Sequence, residues 1–524
     1  MAERDEQADA IAFVTSPAAF GAADDADVER IDTHISIVAL CGERVLKLKR
    51  AVKFDFLDFS TPDKRKAACE AEIAVNRRTA PEIYLGVRTI TRLADGRLAL
   101  DGGGETVDHV VAMRRFDQAG LFDRLAQSGA LTDAMVDDAV DAVADLHAKA
   151  RIRTDHGGAK GMAWVIDDNL ESLAGDAGEI FDKAGVAALA ERTRSAFAGQ
   201  RDLIEARRRE GRVRQGHGDL HLRNICLIDG RATLFDAIEF NDEIACGDVL
   251  YDLAFLIMDL MARGLPGLAC RALNRYLWRG ADWLGMPAFR LYLSCRAAVR
   301  AKTSAISARS DEDGARRRRF ARRARDYLAL ATRLLEPQSP RLVAVGGLSG
   351  TGKSTLAIGL APWLGAAPGA VVLRSDVLRK QAFGTAIERK LPPEAYDRAA
   401  TVKVYGRMSE LAGSLLDAGW PAVTDAVFAD AGERDAIQKV ADGRSLSFAG
   451  LWLEAPVDDL MRRVNARDRD ASDADETVVR HQTAYDPGPI AWHRIDASGT
   501  PGQTLERARR ALMLNPVVSD TQEP

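Results

Sequence analysis

The 524-residue sequence has few cysteines, and none of them stands in a C-x-x-C pair or in another spacing typical of zinc sites. A sparse set without such pairs is typical of reduced intracellular thiols, so we predict no metal-thiolate site. The six positions all precede residue 300 and are Cys41, Cys69, Cys226, Cys246, Cys270 and Cys295.

Long apolar runs and an excess of charge are also missing. No stretch of about 18 apolar residues occurs, and the acidic first residues lack the apolar region of a signal peptide, so we expect a cytoplasmic protein without a membrane segment. The formal net charge of −5 gives no general attraction to nucleic acid or to anionic membranes. Binding of nucleic acid is therefore not expected unless a local patch supplies it.

The length and composition indicate an ordinary globular protein with more than one core. A chain of 524 residues exceeds what a single hydrophobic core supports, and we expect two or three domains. Hydrophobic residues make up 47% and charged residues 28% of the sequence, as in folded domains.

A phosphate-binding motif begins at residue 347. Residues 347–354 match G-x-x-x-x-G-K-[ST], the Walker A pattern, between an apolar strand at 342–345 and a helical pattern at 355–358. In this context Lys353 is expected to reach the β- and γ-phosphates of ATP, and the hydroxyl of Ser354 to ligate Mg²⁺. The predicted nucleotide cradle consists of Gly347, Ser349, Gly350, Thr351, Gly352, Lys353, Ser354 and Thr355.

A second set of candidate residues lies near the start of the chain. Residues 34–49 read as a β-hairpin whose second strand places Lys47 and Lys49 on the same face. The helix predicted next contains Glu70 and Glu72, and a lysine paired with a glutamate can hold ATP phosphates in a kinase. The pattern leaves open which lysine and which glutamate pair, and edge lysines that face solvent give the same pattern.

The stretch 217–224 has the form H-x-D-x-x-x-x-N, which is the spacing of a kinase catalytic loop. In such a loop Asp219 would orient the attacking hydroxyl and Asn224 would ligate Mg²⁺. A hairpin with an Asp-Gly turn at 225–235 then delivers Asp236 at a strand end, where it is placed to bind the metal. The alternative is that these are turn residues followed by a strand-end cap.

These motifs carry a resemblance. With the runs 236–239 and 247–254, residues 30 to about 335 resemble the aminoglycoside phosphotransferase or choline-kinase-like family, a small-molecule branch of the protein-kinase fold. No G-x-G-x-x-G, D-F-G or A-P-E sequence accompanies them, so phosphorylation of proteins is not expected. The resemblance implies Asp219 as the catalytic base, Asn224 and Asp236 as metal ligands, Asp248 as a support of the catalytic loop, and Lys47 paired with Glu72 as the phosphate anchor.

Polar residues also follow the later strands. Asp376 and Arg379 come after a buried strand, where an aspartate can orient an acceptor hydroxyl and an arginine can hold an anionic group. Asp425 ends the next strand and is placed to bind Mg²⁺ as a Walker B residue does. Arg463 and Arg467 share a helix face and could close over the transferring phosphoryl group. A helix cap and solvated arginines are the alternatives.

From residue 340 onward the order of parts resembles small P-loop kinases such as gluconate kinase, shikimate kinase, chloramphenicol phosphotransferase and zeta-toxin-like proteins. The predicted fold is an α+β protein-kinase-like, two-lobed domain followed by an α/β P-loop NTPase domain with a parallel sheet. The predicted segments are a lead-in at 1–30, the kinase-like domain at 31–335 with its small lobe ending near 116, the P-loop domain at 336–512, and a tail at 513–524.

The resemblance implies a bifunctional kinase that uses ATP and Mg²⁺ to phosphorylate a hydroxyl of a small polar metabolite in each domain. One alternative is a single active domain beside an ATP-binding regulatory module. Another is an RNA-associated factor that uses the arginine run at 316–325, although such a run is more often a solvated helix. The sequence indicates neither the acceptors nor the oligomeric state.

Overall fold

The computed structural model of the protein describes residues 2–54, 57–465, 471–484 and 486–514. By its internal contacts the chain divides into two units. The first combines Met1–Glu171 with Arg201–Asp259, and the second combines Ser172–Gln200 with Leu260–Pro524. These units are defined by contacts in space, whereas the predicted domains are continuous stretches of sequence. The domain limits at residues 30, 335 and 512 remain a prediction.

An antiparallel sheet of six strands begins the first unit and carries the two lysines. The strand order is β1-β2-β3-β8-β6-β7, so the predicted hairpin is confirmed as β2 and β3 and lies inside the sheet. A short β4-β5 hairpin and helix α2 connect β3 to β6. The elements are α1 (Ala2–Val14), β1 (Glu29–Asp32), β2 (Ser36–Cys41), β3 (Arg44–Lys49), β4 (Lys53–Phe54), β5 (Leu57–Asp58), α2 (Pro62–Asn76), β6 (Tyr84–Arg92), β7 (Leu98–Leu100) and β8 (Glu105–Arg114).

Helix α1, in the segment that the sequence indicated as a lead-in, is docked on the sheet of the first unit. Ala10 and Val14 are fully buried in a cluster that includes residues of β2, β3 and β8. The buried side chain of Gln7 donates to the carbonyl oxygen of Lys49 at 2.8 Å and accepts from the amide of Ala51 at 2.7 Å. The Ala- and Asp-rich composition hid this contact, because one buried glutamine and a few small apolar residues make it.

The rest of the first unit is mainly helical. The hairpin predicted at 225–235 is confirmed as β10 and β11, and its turn places Asp229 and Gly230 in the left-handed region that an Asp-Gly turn requires. The remaining elements that begin before residue 260 are α3 (Phe122–Gln127), α4 (Asp133–Lys149), α5 (Gly158–Gly175), α6 (Lys183–Arg209), β9 (Val213–Gln215), β10 (Ile225–Ile228), β11 (Arg231–Leu234), α7 (Asp242–Ala245), β12 (Cys246–Asp248) and α8 (Val249–Ala262).

A parallel sheet of five strands forms the centre of the second unit, as predicted for a P-loop fold. Its order is β14-β15-β13-β16-β17, so β13 is central and β14 lies at an edge. The elements are α9 (Pro266–Gly280), α10 (Met286–Ser310), α11 (Gly314–Leu334), β13 (Arg341–Gly347), α12 (Lys353–Leu360), β14 (Val371–Arg374), α13 (Ser375–Ala382), α14 (Arg398–Asp417), β15 (Ala422–Asp425), α15 (Ala431–Asp442), β16 (Ser447–Glu454), α16 (Val457–Asn465), α17 (Glu476–Thr483), β17 (His493–Asp496) and α18 (Pro501–Ala511).

The second unit contains two tryptophans in its core and an arginine run on its surface. Trp278 and Trp283 are buried core residues. The arginine run at 316–325 lies on α11 and is largely exposed, with local ion pairs such as that between Arg316 and Asp311. Among the described helices, none has both the length and the apolar composition that crossing a membrane requires.

Candidate functional site

The catalytic-loop motif forms a compact turn in the first unit. The side-chain amide of Asn224 donates to the backbone oxygen of Asp219 at 2.9 Å and to its Oδ2 at 3.1 Å. Residue 218 has a φ of 84°, and a Cβ there would lie 3.3 Å from Ile238, so the tight turn favours glycine. Asp219 and Asn224 are therefore adjacent, as a shared role at one site requires.

Asp252 supports this loop from helix α8. Its Oδ2 accepts from the amide of His217 at 2.7 Å, and its Oδ1 accepts from the amide of Gly218 at 2.9 Å. Asp248, which the resemblance indicated for this role, instead accepts two hydrogen bonds from Arg207 at 2.6 and 2.8 Å. The supporting carboxylate thus lies one helical turn further along the chain than expected.

Lys47 links a glutamate of α2 to the aspartate that follows the second hairpin. Its Nζ lies 2.7 Å from Glu72 Oε1 and 2.7 Å from Asp236 Oδ1. Asp236 has a φ of 60°, and its amide donates to the hydroxyl of the buried Tyr84 at 3.0 Å. Three side chains remote in sequence therefore meet at one point of the first unit.

The sequence left open which lysine pairs with which glutamate, and in the structure both Lys47 and Lys49 bind the same glutamate. Lys49 Nζ lies 2.7 Å from the second oxygen of Glu72 and 2.5 Å from Glu239 Oε1. Glu72 is fully buried, whereas Glu70 is exposed on α2. Glu72 is thus the shared partner of both lysines, and Lys47 is the one that reaches Asp236.

The charges of this cluster stabilise one another against burial. Burial alone lowers the pKa of Lys47, but Asp236 and Glu72 raise it well above its usual value. Burial also acts to raise the pKa of Glu72, yet the two ammonium groups lower it to about 2. Glu239 behaves differently, because burial raises its pKa more than Lys49 lowers it. Glu72 is consequently ionised at neutral pH.

Asn224 and Asp236 offer an amide oxygen and a carboxylate, which are the hard oxygen donors that Mg²⁺ prefers. The side chain of Asp236 is 47% exposed and can reach solvent, so it is not sealed inside the ion-pair cluster. No group of three or more His, Cys, Asp or Glu side chains gathers as a ready-made metal cluster in the described part of the chain. Mg²⁺ is usually bound by one or two carboxylates together with substrate phosphates.

The P-loop of the second unit follows the central strand β13. Gly347, Gly350 and Gly352 all have positive φ angles, and a Cβ at residue 350 would lie 2.6 Å from the carbonyl oxygen of Leu460. The path of the loop therefore favours glycine at all three positions, of which the motif itself specifies 347 and 352. The hydroxyl of Thr351 donates to the carbonyl oxygen of Leu348 at 2.8 Å and closes the turn.

The charged residues at the strand ends meet at the beginning of α12. Ser354 Oγ donates to Asp425 Oδ2 at 2.6 Å, so the two predicted metal ligands are in direct contact. Arg374 Nε lies 3.4 Å from the same oxygen of Asp425. Lys353 Nζ donates to the carbonyl oxygen of Leu348 at 3.0 Å and therefore lies against its own loop.

Asp376 lies in the first turn of helix α13 and Arg379 in its last turn, and their surroundings differ. Burial raises the pKa of Asp376, and Arg374 only partly offsets this effect. Arg379 donates to the carbonyl oxygen of Ala395 at 2.6 Å and lies over the ring of Tyr396, 5.0 Å from its centroid. Arg379 thus binds residues of the segment that follows α13, whereas Asp376 has the raised pKa that suits a general base.

Arg463 lies beside the phosphate cradle, although not in the pose of a closing arginine. Its guanidinium donates to the carbonyl oxygens of Ala497 at 2.8 Å and Gly499 at 3.2 Å. Together with Gly350, Thr351, Gly352 and Thr355, it lines a cavity of about 300 Å³. Arg467, predicted to act with it, lies outside the described residues.

One contact of the P-loop was not anticipated. The amide of Ser349, a cradle residue, donates to Gln482 Oε1 on helix α17 at 2.8 Å. Helix α17 packs on α16, and Val479 and Leu460 bury an apolar cluster against Leu348. The sequence carried no signal for this contact, because a single glutamine on a short helix fits no motif.

Comparison with known proteins agrees with this geometry. The family model described as phosphotransferase enzyme family matches residues 40–289, and the model described as AAA domain matches residues 342–487. Uncharacterized proteins of Mycobacterium tuberculosis and Mycobacterium bovis are 30% identical over 483 residues, which is 91% of this chain and 94% of theirs. The chain belongs to the same family as these mycobacterial proteins. It is a phosphotransferase enzyme with two kinase-type domains.

Solved structures with similar folds cover the two parts separately. A choline/ethanolamine kinase family protein from Mesorhizobium loti is 14% identical, covering 62% of this chain and 94% of its own, with a TM-score of 0.39. A gluconokinase from Sinorhizobium meliloti is 19% identical, covering 34% of this chain and 93% of its own, with a TM-score of 0.25. At these scores the two structures carry no conclusion about the activity of this phosphotransferase.

Proposed function

We propose that both sites bind ATP with Mg²⁺ and that each transfers the γ-phosphoryl group to a hydroxyl of a small polar metabolite, such as a sugar or an amino sugar. The observation that carries the proposal is the same in each unit. A cation that can hold phosphates lies near oxygen ligands for Mg²⁺, contributed by residues far apart in sequence. Phosphoryl transfer requires this combination of positioning and charge neutralisation.

In the first site, Lys47 anchors the phosphates while Glu72 fixes its ammonium group. Asp219 accepts the proton of the acceptor hydroxyl while the oxygen of that hydroxyl bonds to the γ-phosphorus. The bond between the γ-phosphorus and the β-γ bridging oxygen breaks, and ADP leaves. Asn224 and Asp236 would hold the Mg²⁺, which neutralises charge on the β- and γ-phosphates when bound.

In the second site, the glycines of the P-loop give the backbone its approach to the β-phosphate, and Lys353 turns from the carbonyl oxygen of Leu348 toward the phosphates. Ser354 and Asp425 would hold the Mg²⁺ there. Asp376 takes the proton of the acceptor hydroxyl, and its raised pKa keeps it a stronger base than an exposed aspartate.

The experiment uses the full chain with two single variants, Asp219→Asn and Lys353→Ala. Calorimetry with Mg²⁺ and a non-hydrolysable ATP analogue should show two binding events in the unchanged protein, and Lys353→Ala should abolish one of them. ATP turnover with a panel of hydroxyl-bearing metabolites should lose a different activity in each variant. If one variant left every activity intact, its domain would be a regulatory module, and if neither event occurred the proposal would be wrong.

A further inference from the structure

Helix α9 covers the open edge of the parallel sheet in the second unit. The side chain of Asn274 accepts from the amide of Val372 through Oδ1 at 2.7 Å and donates to the carbonyl oxygen of Ala370 through Nδ2 at 3.1 Å. One carboxamide thus satisfies the donor and the acceptor that a neighbouring strand would otherwise bind. The edge strand β14 is therefore held by α9, within one compact unit.

Trp278, one helical turn after Asn274, binds the same strand and extends the contact toward the P-loop. Its indole Nε1 donates to the carbonyl oxygen of Val372 at 2.9 Å. The guanidinium carbon of Arg374 lies over the indole ring, 5.4 Å from its centroid. Trp278 is 8% exposed and Arg374 is 5% exposed, so this cation–π contact is shielded from water.

Arg374 continues the chain of contacts to the predicted metal ligands. Its Nε lies 3.4 Å from Asp425 Oδ2, and the same oxygen accepts from Ser354 Oγ at 2.6 Å. The register of β14 and β15 places Arg374 directly opposite Asp425. A continuous line of contacts therefore runs from Trp278 through Arg374 and Asp425 to Ser354.

We propose that Trp278 is a positioning residue for the metal-binding end of the P-loop site. This inference depends on the proposed function of that site. Trp278 lies inside the segment that matches the phosphotransferase enzyme family, and its side chain nevertheless serves the second phosphoryl-transfer centre. By fixing Arg374, it keeps the carboxylate of Asp425 beside the hydroxyl of Ser354, and these two side chains would hold the Mg²⁺.

The physical reason is the position of Arg374 between two partners. Without the indole ring, the guanidinium loses its support on one side and can turn fully toward Asp425, where it would compete with Mg²⁺ for the carboxylate. The expected loss is therefore specific to the cation. Binding of the nucleotide phosphates to the P-loop amides and to Lys353 does not depend on Arg374.

The test measures the gain in affinity for a non-hydrolysable ATP analogue that Mg²⁺ produces, by calorimetry on the full chain. Lys353→Ala identifies which binding event belongs to the P-loop. Trp278→Leu removes the ring and the N–H donor, and we expect it to reduce the Mg²⁺-dependent gain about fivefold, which is the scale of a partly desolvated cation–π contact. Trp278→Phe keeps an aromatic ring beneath Arg374 and should lose less than half of that gain.

Trp283→Leu is the matched control. Trp283 is also buried, at 4% exposure, but its indole N–H donates to the side chain of Gln381 at 3.2 Å and does not reach β14. This control should keep the Mg²⁺-dependent gain of the unchanged protein, although its melting temperature falls.

Three results would overturn the inference. Trp278→Leu could keep the full Mg²⁺-dependent gain, it could weaken binding equally with and without Mg²⁺, or Trp283→Leu could lose the gain to the same extent. The second result would mean that Trp278 serves only stability, and the third that the loss of either buried tryptophan has the same unspecific effect. If Trp278→Leu does not fold, a Trp278→Phe variant that loses the whole gain would overturn the role of the ring. Failure of the proposed function is seen separately, as the absence of the P-loop binding event in the unchanged protein.

Discussion

Replacing Glu72 by glutamine tests the charge cluster of the first site, because this residue is the carboxylate that two lysines share. Both of its oxygens accept from an ammonium group at 2.7 Å, and its side chain is fully buried. After the change, Lys47 keeps Asp236 and Lys49 keeps Glu239. Removing one partner from a buried ion pair costs about 3–5 kcal/mol. We expect about 3 kcal/mol here, since each lysine retains one carboxylate.

The assay is thermal unfolding of the full chain, with Glu70→Gln as the matched control. Glu70 lies on the same helix and is exposed, so its replacement should leave the melting temperature within about 1 °C of the original. For Glu72→Gln, the transition of the first unit should fall by roughly 6–12 °C. Equal melting temperatures for the two variants would refute the reasoning, because they would mean that Glu72 carries no more stabilising charge than a surface glutamate.

The pH dependence gives an independent check on the same residue. The two lysines lower the pKa of Glu72 from its usual 4.5 to about 2, against the effect of burial. A carboxylate with a lowered pKa contributes stability that is fully present above its unfolded value and is lost as the pH falls through its folded value. The difference in stability between the unchanged protein and Glu72→Gln should therefore be constant near neutral pH and should shrink below about pH 4.5.

Three further outcomes are expected. Gln482→Glu places a carboxylate at the Ser349 amide and should weaken binding of the ATP analogue at the P-loop about tenfold in calorimetry. Gln482→Met should not weaken it, and equal affinities of the two variants for the analogue would contradict this prediction. Asp376→Asn should abolish turnover at the second site yet raise the melting temperature at pH 7, because burial raises the pKa of this carboxyl and its ionisation costs stability. The gain should vanish near pH 4, and a lower melting temperature at pH 7 would refute this reasoning. A chain that starts at residue 336 lacks Asn274 and should aggregate in light scattering, unlike the full chain, and a stable monomer would show that β14 needs no cover.

Local patterns predicted the two motif-bearing turns, because their geometry depends on residues close together in sequence. The H-x-D-x-x-x-x-N spacing and the P-loop pattern each predicted a turn, and the two glycines that the P-loop pattern specifies, Gly347 and Gly352, have positive φ angles. The alternation of β3 placed Lys47 and Lys49 on one face, which is also correct, since both reach Glu72. The catalytic and metal-binding roles of these residues remain predictions.

Contacts that depend on packing between distant segments could not be predicted. Asp248 and Asp252 both belong to the run 247–254. Only the packing of α8 against the catalytic loop decides that Asp252 supports the loop. The polar contacts of α1 with the sheet include those of the buried Gln7, and the cover of β14 depends on Asn274 and Trp278. Such polar residues have no periodicity of their own, and the partners of Gln7 and Asn274 on these strands lie 42 to 101 positions away.

The two sites share one physical property that links their geometry to their proposed chemistry. In each, the cation expected to hold phosphates is bound to an oxygen of the protein: Lys47 to Asp236, and Lys353 to the carbonyl oxygen of Leu348. A buried or half-buried ammonium group without a partner is costly, so these contacts keep each site stable before a nucleotide arrives. Nucleotide binding at the first site is therefore expected to exchange the contact of Lys47 with Asp236 for a contact with the phosphates, while Asp236 would hold the Mg²⁺.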